Sequence, residues 1–210
     1  MPCAPAAAPP SMGRGDRRRQ TMTRTIEIAL EPLTHEGFAP FGELVGEAPR
    51  TPEWQRPKLD AWKNRFEVDG RTELRIMRYH YQGKAPVFHL VERHVAVTES
   101  RVPMSGAQAV IVVGPRTADR RGPPPETLRA FHINGTHGLM LHRGTWHALD
   151  CFPLTVPHAD FAFVTEVETE NEIETSKDAI DGERTHLFDY KAAHGVEFRL
   201  VDPRGLAPRL

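Results

Sequence analysis

Phe88-His89-Leu90-Val91-Glu92-Arg93-His94, running on through Val95-Ala96-Val97-Thr98-Glu99 to Pro103-Met104-Ser105-Gly106, is the stretch that decides the fold. Successive side chains of a strand point to opposite faces. An unbroken strand here puts Phe88, Leu90, Glu92 and His94 on one wall, and His89, Val91 and Arg93 on the other. An acid and an imidazole then share a face with apolar residues, where a carboxylate is costly unless it has a partner.

About fifty residues on, Leu141-His142-Arg143-Gly144-Thr145-Trp146-His147 answers that stretch. Together they read Glu-x-His-x4-Glu-x6-Gly and His-x-Gly-x2-His, which resembles a degenerate form of the paired cupin signature. Glu92 stands where that signature has its first His, and His142 where it has Pro. In metal-binding cupins the matching positions, here Glu92, His94, Glu99 and His147, hold one divalent ion inside a small β-barrel. Three or four nitrogen and oxygen ligands suffice for a mid-series divalent metal.

The surrounding chain agrees with such a barrel. From Glu73 the pattern turns to period two: Leu74, Ile76 and Arg78 alternate with Arg75, Met77 and Tyr79. Ala107 to Val113 reads as a strand buried on both sides, Leu128–Ile133, Gly138–His142 and Asp160–Val167 as further strands, and Asn134-Gly135 as a tight turn. Seven or eight short strands with Gly/Pro turns predict an all-β, antiparallel barrel or jelly roll with a few short helices, a closure that removes open sheet edges. Thr34 is a helix N-cap candidate, and residues 46–58, with Pro49, Pro52 and Pro57, read as a surface loop.

At 210 residues, with net charge -1 and 39% hydrophobic content, one domain with a sizeable core is expected. The charge balance gives no sign of a nucleic-acid or membrane partner, and no stretch approaches the ~20 apolar residues of a membrane span. Cys3 and Cys151 make neither a disulfide framework nor a metal spacing, so a reducing, cytoplasmic compartment is the simplest expectation. The division read from the sequence is a disordered or artefactual tail over 1–22, a barrel over 23–168, and an extension over 169–210 packed on the barrel or a partner subunit. The acidic stretch 168–181 reads as a solvated linker, and Val196–Val201 as an outer strand.

Glu92-Arg93-His94, Pro103-Met104, Leu128-Arg129-Ala130-Phe131, Asn134-Gly135, His142-Arg143, Trp146-His147 and Asp160-Phe161, in that order, resemble the ureidoglycolate lyase family of allantoin and purine breakdown. The opening Leu33-x4-Phe38-x2-Phe41-Gly42 is similar too, so the likeness spans roughly residues 25–168. The resemblance implies cleavage of (S)-ureidoglycolate to glyoxylate and urea in a cupin-type homodimer. It associates nickel with the family alongside a variable ligand set, so a divalent metal and no metal are both open.

The chemistry can be stated from the substrate. Ureidoglycolate carries a hydroxyl, a carboxylate and a urea nitrogen on one carbon; a base takes the hydroxyl proton and an acid protonates the departing nitrogen. Histidine suits either proton role, and an arginine fork suits the carboxylate. The expected catalytic residues are His94, His147, Glu92 and His142, with Arg65 or Arg78 and Trp146 against the substrate. Arg93 is expected to face away and to be structural. The remaining readings are a metal-dependent cupin dioxygenase or isomerase, a ureidoglycolate amidohydrolase releasing ammonia, and a non-catalytic barrel binding a small carboxylate.

Overall fold

The computed structural model describes residues 23–46, 48–82, 86–176 and 182–202; the expected tail over 1–22 and Asp178 lie outside these residues. In chain order the first elements are β1 (Arg24–Pro32), α1 (His35–Phe38), β2 (Gly42–Val45), β3 (Trp54–Arg56), β4 (Leu59–Ala61) and β5 (Thr72–His80). Then come β6 (Val87–Phe88), β7 (Leu90–His94), β8 (Glu99–Pro103), β9 (Ala109–Gly114), β10 (Arg129–Ile133) and β11 (Gly138–Leu141). Last are β12 (Trp146–Ala148), β13 (Phe152–Pro153), β14 (His158–Glu166), α2 (Val167–Thr175), β15 (Thr185–Asp189), α3 (Tyr190–His194) and β16 (Val196–Val201).

Strand β9 shows why two layers form. Its apolar run has no polar face to give to water, and both faces are buried. Ala109, Ile111 and Val113 enter one core with Phe38, Phe131, Leu139 and Phe161; Val110 and Val112 enter another with Val91, Trp146 and Phe198. The first core lies between a nine-stranded sheet, ordered β15-β7-β12-β9-β10-β1-β16-β6 with β13 beside β9, and a five-stranded sheet, ordered β2-β11-β8-β14-β5. The second lies inside the larger sheet, which curls until β6 at one end joins β7 near the other through the single residue His89. This closure leaves few open edges to manage.

The structure departs from the sequence reading at several places. The strand breaks at His89, whose carbonyl accepts Tyr190 N–H and whose ring meets Asp189 at 2.9 Å. Phe88 therefore leaves the face of Glu92 and joins Val91 in the inner core, stacked on Phe198 at 5.1 Å. Strand β1 runs parallel to both β10 and β16, within an otherwise antiparallel barrel. Asn134-Gly135 does form a turn, with Gly135 at φ 88, but it carries the chain from one sheet to the other instead of closing a hairpin. Residues 46–58 are not loop throughout, because Trp54–Arg56 pairs with Leu59–Ala61.

The described residues after 168 are part of the fold. Of the acidic stretch expected as a linker, the part up to Thr175 lies in helix α2; β15 extends the larger sheet beyond β7, and β16 lies between β1 and β6. Thr34 caps α1 as expected, its hydroxyl accepting Gly37 N–H at 3.1 Å. Among the described residues no helix is long and apolar enough to cross a membrane.

Phe131 is fully buried and meets Phe38 edge to face at 5.4 Å. Phe131→Ala is expected to cost about 3–5 kcal/mol in denaturant unfolding, through lost burial and the cavity left behind. A loss under 1 kcal/mol would mean that the two sheets do not share this core.

Candidate active site

The side chains that matter come from both sheets where they face each other. Leu90, Glu92 and His94 alternate along β7 with Val91 and Arg93, so Glu92 and His94 face the smaller sheet. His147 pairs across from Glu92 in the neighbouring strand β12. From the smaller sheet β8 presents Glu99 and, two residues on, Arg101. The tight connection at Gly144, φ 75, donates its N–H to the His94 carbonyl at 2.6 Å and so ties the turn before His147 to the end of β7. A positive φ is what glycine tolerates without strain.

The result is a cluster of ionisable groups almost wholly removed from water: Glu92, His94, Glu99, Arg101 and His147 are each less than 9% exposed. Four of them, with Tyr79, Met77, Phe163 and Glu170 among the others, line a cavity of about 200 Å³. His147 lies just behind the lining. Its ring centroid is 5.1 Å from that of His94.

Glu99 is the hub. One oxygen lies 3.3 Å from His94 Nε2; the other lies 3.5 Å from His147 Nε2 and accepts from Arg101 NH1 at 2.9 Å. Burial by itself would raise its pKa, but His94, Arg101 and His147 outweigh that and hold Glu99 far below the ordinary carboxylate range. At Glu92 the balance goes the other way, and the charge of Arg101 does not offset burial. Burial first, and then the charge of Glu99, push its carboxyl up to about 8, so it holds a proton at neutral pH. His94 Nε2 is 3.9 Å from Glu92, and its Nδ1 meets the Thr185 hydroxyl at 3.0 Å.

His147 donates Nδ1–H to the Ala148 carbonyl at 2.9 Å, which leaves a lone pair on Nε2. That nitrogen is buried without a hydrogen-bond partner, and burial lowers the ring's pKa to about 3. A neutral imidazole with an unspent lone pair is what a metal ligand requires. Ligand atoms of Glu92, His94 and His147 all lie within 4.8 Å of one another, and Glu99 adjoins both histidines. Two imidazoles and a carboxylate in this grouping fit a divalent ion.

The other expected site residues lie elsewhere. Arg65 is exposed and paired with Glu67 at 2.8 Å; Arg78 clasps Asp160 through two hydrogen bonds of 2.8 Å on the outer face of β5. Neither lines this cavity. His142 lies past the end of β11, its N–H on the Phe41 carbonyl, and it does not line the cavity. Trp146 points into the inner core, opposite to His147, with its indole N–H on the Thr117 hydroxyl. Arg93 is on the far face as expected, yet it is buried: it stacks over Trp146 at 4.8 Å and holds the Thr117 and Asp119 carbonyls.

Sequence reasoning missed Arg101, Tyr79, Glu170 and Thr185. The signal for Arg101 was available, since a strand that turns Glu99 inward turns Arg101 inward as well. Thr185 and Glu170 come from segments whose pairing no local pattern reveals.

Residues 25–181 match the family model described as ureidoglycolate lyase. The chain is 30% identical over 128 residues to a ureidoglycolate lyase of Pseudomonas savastanoi pv. phaseolicola, covering 58% of this chain and 73% of that one. It is 30% identical over 134 residues to a ureidoglycolate lyase of Brucella anthropi, covering 57% and 72%. The solved structure of RmlC from Streptococcus suis in complex with dTDP-D-xylose aligns at TM-score 0.30 and 6% identity over 66% of this chain and 65% of that one, too slight a likeness to inform fold or chemistry.

The raised carboxyl of Glu92 has a measurable cost. Between the ordinary value of 4.5 and about 8 the folded protein binds a proton that the unfolded chain has lost, so this contribution weakens folding progressively as pH rises. In metal-free protein Glu92→Gln is expected to be more stable than the parent at pH 8 by about 2 kcal/mol, with the gain vanishing towards pH 4–5. Denaturant unfolding at several pH values checks this; a pH-independent difference would mean that Glu92 is ionised in the folded state.

Proposed function

Because this chain belongs to the ureidoglycolate lyase family, we propose that it cleaves (S)-ureidoglycolate to glyoxylate and urea in the cavity between its two sheets. The observation that carries the reading is the placing of a buried carboxyl, Glu92, 3.9 Å from His94 Nε2 at the same wall, where burial raises the carboxyl's pKa to about 8. The reaction needs one group that takes a proton and one that gives a proton, close together and out of bulk water.

His94 takes the carbinol hydroxyl proton at Nε2, with its Nδ1–H on the Thr185 hydroxyl. The Glu99 carboxylate lies 3.3 Å from that nitrogen and faces the proton it takes up. As the oxygen collapses to the aldehyde, the carbon–nitrogen bond breaks, and Glu92 gives its proton to the departing urea nitrogen. No water is consumed. Met77, Phe163 and Ile173 narrow the cavity and limit water beside the reacting carbon.

As an alternative to these proton roles, His94, His147 and Glu92 in its ionised form would hold a divalent ion, nickel by family resemblance, which would supply a Lewis acid for the substrate's oxygens. Elemental analysis of the purified protein tests that part. The proposal also includes a homodimer, supported by the family resemblance and by the exposed Leu74 and Ile76 on the edge strand β5; sedimentation checks the protomer count. A cytoplasmic setting is in keeping with the free, buried Cys151.

Glyoxylate release from (S)-ureidoglycolate is measured against spontaneous decay for the parent, His94→Gln and Glu92→Gln. Each variant is expected to lose roughly 10²–10⁴-fold in kcat. In the parent, kcat/KM is expected to fall as pH rises through about 8, where Glu92 loses its proton. Variants that keep parental rates would sink this assignment of roles.

A further inference from the structure

The proposed substrate is a carboxylate, and neither exposed arginine of the sequence reading lines the cavity in which it must bind. A third arginine does. Arg101 is 4% exposed, lines the same cavity as Glu92 and His94, and has its Cζ over the Phe163 ring at 4.8 Å from the centroid.

Its guanidinium is only partly spent. NH1 donates to Glu99 at 2.9 Å, and Tyr79 lies beside it, but Nε is buried without a hydrogen-bond partner. A buried donor left unsatisfied is costly, the more so on a charged group. The guanidinium fork matches a carboxylate with two parallel N–H donors, a geometry that lysine cannot reproduce. A cavity of about 200 Å³ has room for a small acid and little else.

Resting on the reading of this cavity as the ureidoglycolate site, we infer that Arg101 anchors the substrate's carboxylate and confines the enzyme to small 2-hydroxy carboxylates. Glu99 and Tyr79 are positioning residues: they hold the guanidinium so that its free edge meets the incoming acid. Phe163 fixes the plane of the fork from one side. The competing role is a purely structural one, in which Arg101 only neutralises Glu99.

The two roles separate on the products. Glyoxylate carries the carboxylate and urea does not. Inhibition by each, and the kinetics of ureidoglycolate cleavage, are compared in the parent, Arg101→Lys and Tyr79→Phe. Arg101→Lys is expected to raise the KM for ureidoglycolate and the inhibition constant of glyoxylate by roughly tenfold or more, with a much smaller change in kcat and none in urea inhibition. Unchanged glyoxylate inhibition, equal weakening of both products, or a fall in kcat alone would overturn the proposal.

If Arg101→Lys does not fold, Tyr79→Phe keeps the guanidinium and answers the same question: a rise of roughly threefold in the glyoxylate constant alone supports the anchor, and no rise overturns it. Calorimetry of glyoxylate with the parent and Arg101→Lys needs no turnover. Arginine-dependent glyoxylate binding without cleavage would remove the proposed reaction and leave the anchor. Cleavage with binding indifferent to Arg101 would do the reverse.

Discussion

The site depends on one buried ion pair, Glu99 with Arg101, set between the two sheets. Each charge alone would be expensive to remove from water, and each is tolerable because the other is in contact at 2.9 Å. Glu99 also faces His94 and His147, so a single carboxylate organises two imidazoles and one guanidinium, and after burial it is the next cause that raises the pKa of Glu92. Breaking the pair by removing one member would leave an uncompensated charge in the middle of the fold. Chemistry and stability are therefore coupled here more tightly than in the surrounding apolar core.

The late part of the chain maintains that arrangement. Glu172 on α2 accepts the backbone N–H groups of Glu183, Arg184 and Thr185, the last at 2.7 Å, and so fixes the start of β15. Thr185 then pairs with His94 in the ladder and orients its ring through Nδ1. Buried Glu170, from the same helix, links Arg75 and Thr165 at the cavity rim. The acidic residues of α2 thus serve as backbone and side-chain anchors for the wall that carries His94.

Much of this was legible in the chain. Period two over Leu90–His94 placed Glu92 and His94 together, the unbroken apolar run of β9 called for burial on both faces, and Thr34 signalled its helix. What failed were readings that needed long-range information. Phe88 changes core because His89 interrupts the strand to meet Asp189, about a hundred residues away. The parallel placing of β1 between β10 and β16, and the folding of the acidic run into α2 against the barrel, follow from closure of the whole sheet. Arg101 belongs to no motif or loop, yet the alternation of its strand, which turns Glu99 inward, turns it inward as well.

The most direct test of the account is carbon-13 NMR of purified protein given (S)-ureidoglycolate labelled at the ureido carbon. The lyase reading predicts that the label appears as urea, one for each glyoxylate, faster than in the enzyme-free control. Label appearing as carbonate, with ammonia released, would contradict it and make the cavity a hydrolytic one.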